Sequence, residues 1–540
     1  MKKNTKIVLG IIGIISFILC TVIFFSYNPI IAYDTGHYLW LTDMLKVKGA
    51  FSNWDIARGI GFPLIIFITN MIFGESYISL LITMYIFYIV MCIVAFLIYR
   101  EFINTDEKLK LWEKILIIGG FLVLVAFNPI IFGFYHALLT EFPTMTMAIL
   151  ICYMSWKWIY VKFNDNKKKY ISYSIIFAVL SAYMYQLKQP YVGAIVFPII
   201  VAMIISIIKD NKLKNIIARV TTVATCFLAI IISIVAWKGI LLWNNVNMNY
   251  ERSSSGFLSL QMVDSISKYR TAKNVSLERI KNDEKICEKD KEELEKIING
   301  TNEKYKGFIL LEEKNYSDEV DSVNIIYTKE TTLSVGEATG FIVKTLFTHP
   351  TIILKSYYRN FLVTCDIYQY SFETDLITKS GKIDWLYTLE LEPIPYRIFH
   401  RDQSSILPGI EYYEQYIAKY RVDEARQIPG VNAYMKFMTN VSSIIYKIQC
   451  LFLPILTIIS VIRYLKYRKK YDEHQLKCVE MICILYGFSL VHMTVHILLR
   501  ATIDRYMAPA ILTSMIAIIL DLYIVIYGVK NKERRPVRKS

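Results

Sequence analysis

Residues 76–99 read SYISLLITMYIFYIVMCIVAFLIY, a run without a single Asp, Glu, Lys or Arg. A helix rises about 1.5 Å per residue, so roughly 20 apolar residues cross a hydrocarbon core about 30 Å thick. In that core the backbone must satisfy its own hydrogen bonds, and the run therefore reads as a transmembrane helix. Nine further apolar runs lie near 7–26, 114–128, 142–160, 171–187, 191–208, 219–243, 442–465, 476–499 and 506–528. Most approach spanning length, the one at 114–128 being short. The expectation is an all-α polytopic membrane protein with about ten transmembrane helices. Composition agrees: 54% of the 540 residues are hydrophobic and 20% are charged, too apolar for an ordinary soluble chain of this length.

Basic residues cluster in alternate loops: Lys2, Lys3 and Lys6; Arg100, Lys108 and Lys110; Lys162 and Lys167 to Lys169; Lys209, Lys212 and Lys214; Arg463 to Lys470; Lys530 to Lys539. The positive-inside rule makes these loops cytoplasmic and places 27–60, 128–141, 188–191, 244–440 and 500–505 outside. The net charge of +15 mainly reports this topology, because it is split among short juxtamembrane loops. A nucleic-acid partner would need a basic soluble domain with stacking aromatics, and none is expected. The Lys-rich start and apolar core of 7–26 resemble a signal peptide, but no small-x-small pattern follows Phe25, so the run is read as an anchor.

Three parts follow: an N-terminal transmembrane module at 1–243 with its outer first loop at 27–60, an extracytoplasmic mixed domain at 244–440 inserted before the last three helices, and a C-terminal module with a basic cytoplasmic tail at 441–540. In the first loop Leu39, Leu41, Met44 and Leu45 form an apolar stripe suited to a helix lying on the membrane. The stretch from Phe62 to Phe73 is half a span and reads as re-entrant or interfacial. Cys287 and Cys365 are the two cysteines of the outer segment, the one pair there that could form a disulfide.

Ionisable residues at a membrane interface are costly and usually face a cavity or a partner. On the outer side these are Asp34, His37, Asp43 and Arg58 in the first loop; His136 and Glu141 in the next; Lys188; and His492, His496 and Arg500, which fall on one helix face at i, i+4 and i+8, followed by Asp504 and Arg505. Each has a bland reading. Asp34 can simply pair with Arg58, Glu141 can cap a helix, and Arg500 and Arg505 can anchor span ends. His492-x-x-x-His496 has a zinc-like spacing but lacks a third ligand, so no metal site is assigned.

One outer carboxylate beside several cations suits transfer of a sugar from a polyprenyl-phosphate carrier. A base takes the proton of the acceptor hydroxyl, and cations stabilise the leaving phosphate. Glycoside hydrolysis would need two carboxylates flanking the bond. On this reading Asp34 and Glu141 are the catalytic candidates, Asp34 being the base. Arg58, Lys188, Arg500 and Arg505 hold donor phosphate, and His37, His136, His492 and His496 orient substrate.

The order Tyr33-Asp34 with His37-Tyr38, then Arg58-Gly-Ile-Gly-Phe-Pro63, Asn128-Pro129 to Glu141, Lys188-Gln-Pro190 and Arg505-Tyr506-Met-Ala-Pro509 resembles the GT-C superfamily of polytopic glycosyltransferases. Its protein O-mannosyltransferase and lipid A aminoarabinose transferase branches share this layout. The resemblance covers both membrane portions and leaves 244–440 unmatched. It implies that Asp34 activates the acceptor, that Glu141 is the acidic residue of the following outer turn, and that Arg58, Lys188 and Arg505 lie near donor phosphate. It also implies inversion at the sugar carbon, a polyprenyl-phosphate sugar donor, and an acceptor glycan, lipid or protein. No cofactor is implied, a divalent metal being the one open choice. Two positions depart from the pattern: Thr35 follows Asp34 where a second acidic residue is common, and no glycine adjoins Lys188.

The rival classes are a transporter or flippase of lipid-linked sugars, which should distribute polar groups through the membrane depth, and a cell-envelope glycan polymerase or ligase using longer donors. A silent scaffold is a fourth. Abundant Ile, Lys, Asn and Tyr point to an AT-rich bacterial genome and hence to a bacterial plasma membrane, with the active site on its extracytoplasmic face.

Overall fold

The computed structural model describes residues 3–25, 35–47, 58–104, 109–188, 191–246, 429–468, 472–498 and 504–533, with isolated positions at 49–54 and between 288 and 365. Among the described residues there are helices and no strands. They are α1 (Lys3–Phe24), α2 (Thr35–Met44), α3 (Gly61–Phe73), α4 (Tyr77–Tyr99), α5 (Leu111–Phe121), α6 (Pro129–His136), α7 (Glu141–Ile159), α8 (Lys167–Leu187), α9 (Val192–Lys209), α10 (Leu213–Trp243), α11 (Pro429–Tyr467), α12 (Glu473–Leu498) and α13 (Ala508–Glu533).

Local signals explain where the helices begin. Ser76 caps α4 by accepting from the Ser79 N–H at 3.3 Å, and Asn166 caps α8 through the Lys169 N–H at 2.9 Å. Asn128 accepts from Ile130 at 3.0 Å and from Ile131 at 3.4 Å, with Pro129 at the first helical position of α6. The stretch 128–141, read from sequence as an outer loop, is mostly a short buried helix. A π-helical turn at Leu122–Ala126 continues α5, and this combined helix meets α6 at 44°.

Among the described residues six helices are long and apolar enough to cross a membrane, or seven if the bent α5–α6 pair counts as one span. The sequence suggests about ten; the others are α1 and α9, whose described apolar parts are shorter (Gly10–Phe24 and Ala194–Lys209), and α7. Its residues are buried nearly throughout, with α4, α8, α9, α12 and α13 packed around it. A helix screened from lipid on every side needs no uniformly apolar sequence, and α7 carries Thr144, Thr146, Ser155, Trp156, Lys157 and Trp158. By contrast α10 presents Ile217, Phe227, Leu228, Ile231, Ile232 and Val235 on its exposed side, as lipid contact requires. The helix carrying the span at Ile444–Lys466 starts at Pro429, inside the segment assigned to the outer domain. Part of that segment packs on the bundle: Leu362 and Cys365 are buried, and the Tyr446 hydroxyl donates to the Thr364 carbonyl at 2.6 Å. Cys287 lies outside the described residues.

The α2 stripe faces inward. Tyr38, Leu39, Trp40 and Leu41 are buried, with α3 packed against the helix. Lys46, just beyond α2, bonds both Asp43 and Glu75, tying it to the α3–α4 turn. Burial disfavours its charge, but the two carboxylates outweigh that and raise its pKa.

Two ends of the bundle carry different chemistry. At one end the α6–α7, α8–α9 and α12–α13 junctions meet. At the other, Lys209 bonds Glu480 at 2.7 Å and Lys157 bonds Glu101 at 2.7 Å. There Arg219 also caps the end of α7 by donating to the carbonyls of Trp158, Ile159 and Val161 at 3.3, 3.1 and 3.1 Å.

Candidate active site at one end of the bundle

Glu141 opens α7, and its position in the first turn suits a carboxylate. Lys188 follows the last residue of α8, where its N–H donates to Met184 O at 2.9 Å and its carbonyl accepts from the Tyr191 N–H at 3.1 Å. This tight turn directs the ammonium onto the Glu141 carboxylate, forming an ion pair. The side chains are 10% and 1% exposed, respectively, so the pair is largely removed from water. Two aromatic rings complete the box: the Lys188 nitrogen lies 3.9 Å from the Tyr506 ring centre and 4.9 Å from that of Tyr191. Both distances are within cation–π range.

The histidines of α12 reach the same rings. His492 and His496, one turn apart, have ring centres 4.5 Å from each other and 4.7 and 5.3 Å from Tyr191. His496 lies 5.4 Å from Tyr506. His492 Nε2 meets the Tyr506 carbonyl at 2.6 Å, and the Tyr191 hydroxyl donates to that same carbonyl at 3.3 Å. His496 is fully buried, and neither of its ring nitrogens has a hydrogen-bond partner.

The Arg58 segment adjoins this box. The Arg58 guanidinium donates to the Tyr38 hydroxyl at 2.8 Å and sits 5.1 Å from the Tyr38 ring centre. Gly59 and Gly61 lie against the backbone of Gln186, two residues before Lys188. A Cβ on Gly59 would fall 2.2 Å from the Gln186 carbonyl oxygen, so only glycine permits this approach. Tyr38 contacts Phe62 at 4.8 Å, and Phe62 contacts Phe142 at 5.5 Å, linking α2 and α3 to the start of α7.

Of the residues singled out from sequence, Glu141, Lys188, His492 and His496 come together, and Arg58 is held beside the turn that bears Lys188. His136 is placed differently. Its Nδ1 meets Phe132 O at 3.0 Å and its Nε2 meets Phe24 O at 3.0 Å, while the ring lies between Phe24 and Phe132. It pins the end of α1 to α6. Asp34 and Arg500 lie outside the described residues, as do the side chains of His37 and Arg505. Tyr191 and Tyr506 were not singled out for the site. Each adjoins a predicted basic segment, and an aromatic ring beside a buried cation was the signal available. Among the described residues no three His, Cys, Asp or Glu side chains gather as metal ligands.

No protein-family model, curated protein or solved structure matches this chain.

Proposed function

We propose that this protein is an inverting membrane glycosyltransferase of the GT-C type that moves a sugar from a polyprenyl-phosphate carrier to an acceptor hydroxyl. The observation that supports it is the buried Lys188–Glu141 pair, ringed by Tyr191, Tyr506 and the α12 histidines at one end of a helical bundle. A lipid-borne substrate holds its head group at such an end. In the proposed reaction the Asp34 carboxylate takes the acceptor hydroxyl proton, and the oxygen attacks the anomeric carbon from the face opposite the phosphate. The bond to the phosphate oxygen breaks, and its electron pair leaves on the phosphate. Arg58, Lys188, Arg500 and Arg505 would balance that charge. Glu141, His37, His492 and His496 would orient the sugar or the acceptor. The proposal includes about ten spans, an outer domain built from 244–440, and a bacterial plasma membrane with this end facing outward.

The test is to incubate membranes carrying the protein with a set of radiolabelled polyprenyl-phosphate sugars and to identify the labelled product. Asp34→Asn should abolish transfer while leaving insertion intact. Retained activity of that variant in reconstituted vesicles would refute the assignment.

A second reading, a carrier of lipid-linked sugars, draws on the 44° break between α5 and α6, since broken helices occur in transporters. It expects labelled lipid to cross a proteoliposome membrane without any new glycosidic product.

A further inference from the structure

We propose that His496, with the Lys188–Glu141 pair and the rings of Tyr191 and Tyr506, forms a subsite for the uncharged, hydroxyl-bearing ring of a sugar. This deepens the glycosyl-transfer reading and rests on it. It also moves Lys188 from holding phosphate to holding the sugar.

The argument begins at His496. A buried polar atom without a partner costs free energy, and His496 leaves two such atoms unbonded in a fully buried ring. The other ionisable groups of the cluster are engaged: His492 at the Tyr506 carbonyl, and Lys188 and Glu141 with each other. A neutral imidazole presents one donor and one acceptor, and a charged one presents two donors. A hydroxyl donates and accepts, so it matches either form. A phosphate oxygen only accepts: on a neutral ring it pairs with the N–H and leaves the other nitrogen bare, and it satisfies both only on the charged form, on a ring that shares Tyr191 and Tyr506 with the Lys188 ammonium.

The ion pair points the same way. Glu141 already compensates the charge of Lys188, and the two side chains together present an acceptor beside a donor. That pattern suits neighbouring hydroxyls, and a phosphate would have to displace Glu141 against its own negative charge. The Tyr506 ring, which keeps part of its surface exposed, supplies an apolar contact for the C–H face of a pyranose. Lys188 and Tyr506 are the members of the set that retain exposed surface.

The experiment uses the full chain in lipid nanodiscs, with saturation-transfer NMR on three probes: a butyl hexoside, the corresponding 2-amino-2-deoxyhexoside, and butyl phosphate. The wild type should transfer saturation to the hexoside ring protons and much less to butyl phosphate. His496→Phe should weaken hexoside binding about thirty-fold, as loss of two neutral hydrogen bonds implies. His496→Gln, which retains a donor and an acceptor, should keep most of it. Hexoside binding equal in His496→Phe and wild type would overturn the proposal, as would loss in both variants when their unfolding midpoints match the wild type. Should His496→Phe fail to fold, the probes on wild type decide: butyl phosphate or the amino sugar bound in preference to the hexoside overturns it. The transfer reading fails separately. If no polyprenyl donor is turned over while the hexoside binds through His496, sugar recognition stands alone. If transfer proceeds and His496→Phe leaves its choice among donor sugars unchanged, recognition falls and transfer stands.

Discussion

A lysine and a glutamate buried against each other each hold a charge that would be costly alone. Glu141→Leu or Lys188→Met should therefore each destabilise the folded bundle by about 3–5 kcal/mol, because each takes away the opposite charge that its buried partner bonds. The double variant should recover most of that loss and still lack transfer. Denaturant titration in mixed micelles reads the first effect and the radiolabel assay the second; equal destabilisation of the double variant would mean that the pair is not the coupled unit. The pairing itself was only partly legible in the sequence. Both residues stand out as charges among apolar neighbours, yet they are far apart in the chain, and only the α7–α8 packing brings them together. His492 and His496 were easier, since their spacing alone puts them on one face. His136 looked equivalent but turned inward, because the carbonyls of Phe24 and Phe132 are set by helix packing that no local pattern encodes.

Elements meet closely where side chains are absent. Gly59→Ala places a carbon 2.2 Å from the Gln186 carbonyl oxygen, and Gly61→Ala places one 2.8 Å from the same backbone. Backbone cannot yield as a flexible side chain can, so each change should cost about 1–3 kcal/mol and displace the turn bearing Lys188. Gly119→Ala, inside α5 with nothing within 4 Å, should instead be neutral or stabilising by up to about 1 kcal/mol. Thermal unfolding of the three variants checks the contrast. At the α9–α10 connection, Asp210 accepts from the Lys212 N–H at 3.2 Å and from Asn215 at 2.9 Å. The Lys212 N–H first, and then Asn215 and Lys162, hold its carboxyl below the ordinary value of 3.8 against a smaller effect of burial. A lowered folded pKa means that the contribution is complete above 3.8 and fades as pH falls through the lower, folded value. The stability gap between wild type and Asp210→Asn should therefore narrow in acid. The apolar runs announced these helices, but not their lengths or breaks. The long start of α11 at Pro429 and the bend at Asn128 depend on what packs around them.

Across the whole molecule, charged side chains sort to two ends: Lys157, Lys209 and Arg219 gather at one, and Glu141, Lys188 and His496 at the other. In a cysteine-free background, Lys46→Cys should react with a membrane-impermeant maleimide on intact cells, and Lys162→Cys only in inverted vesicles. Labelling of both from one side would reverse or break the proposed topology. The number of crossings was less legible than their existence, since hydropathy marks apolar helices without saying which of them meet lipid. The burial of α7 inside the bundle bears on biogenesis. As the ribosome delivers α7 to the translocon, only the first of its eventual neighbours have been synthesised, and α12 and α13 follow some 300 residues later. Alone in the bilayer it would turn Thr144, Thr146, Ser155 and Lys157 toward lipid. It must be sheltered by α4, or held by an insertase, until the carboxy-terminal helices arrive, and truncations ending before α12 should leave it open to proteolysis.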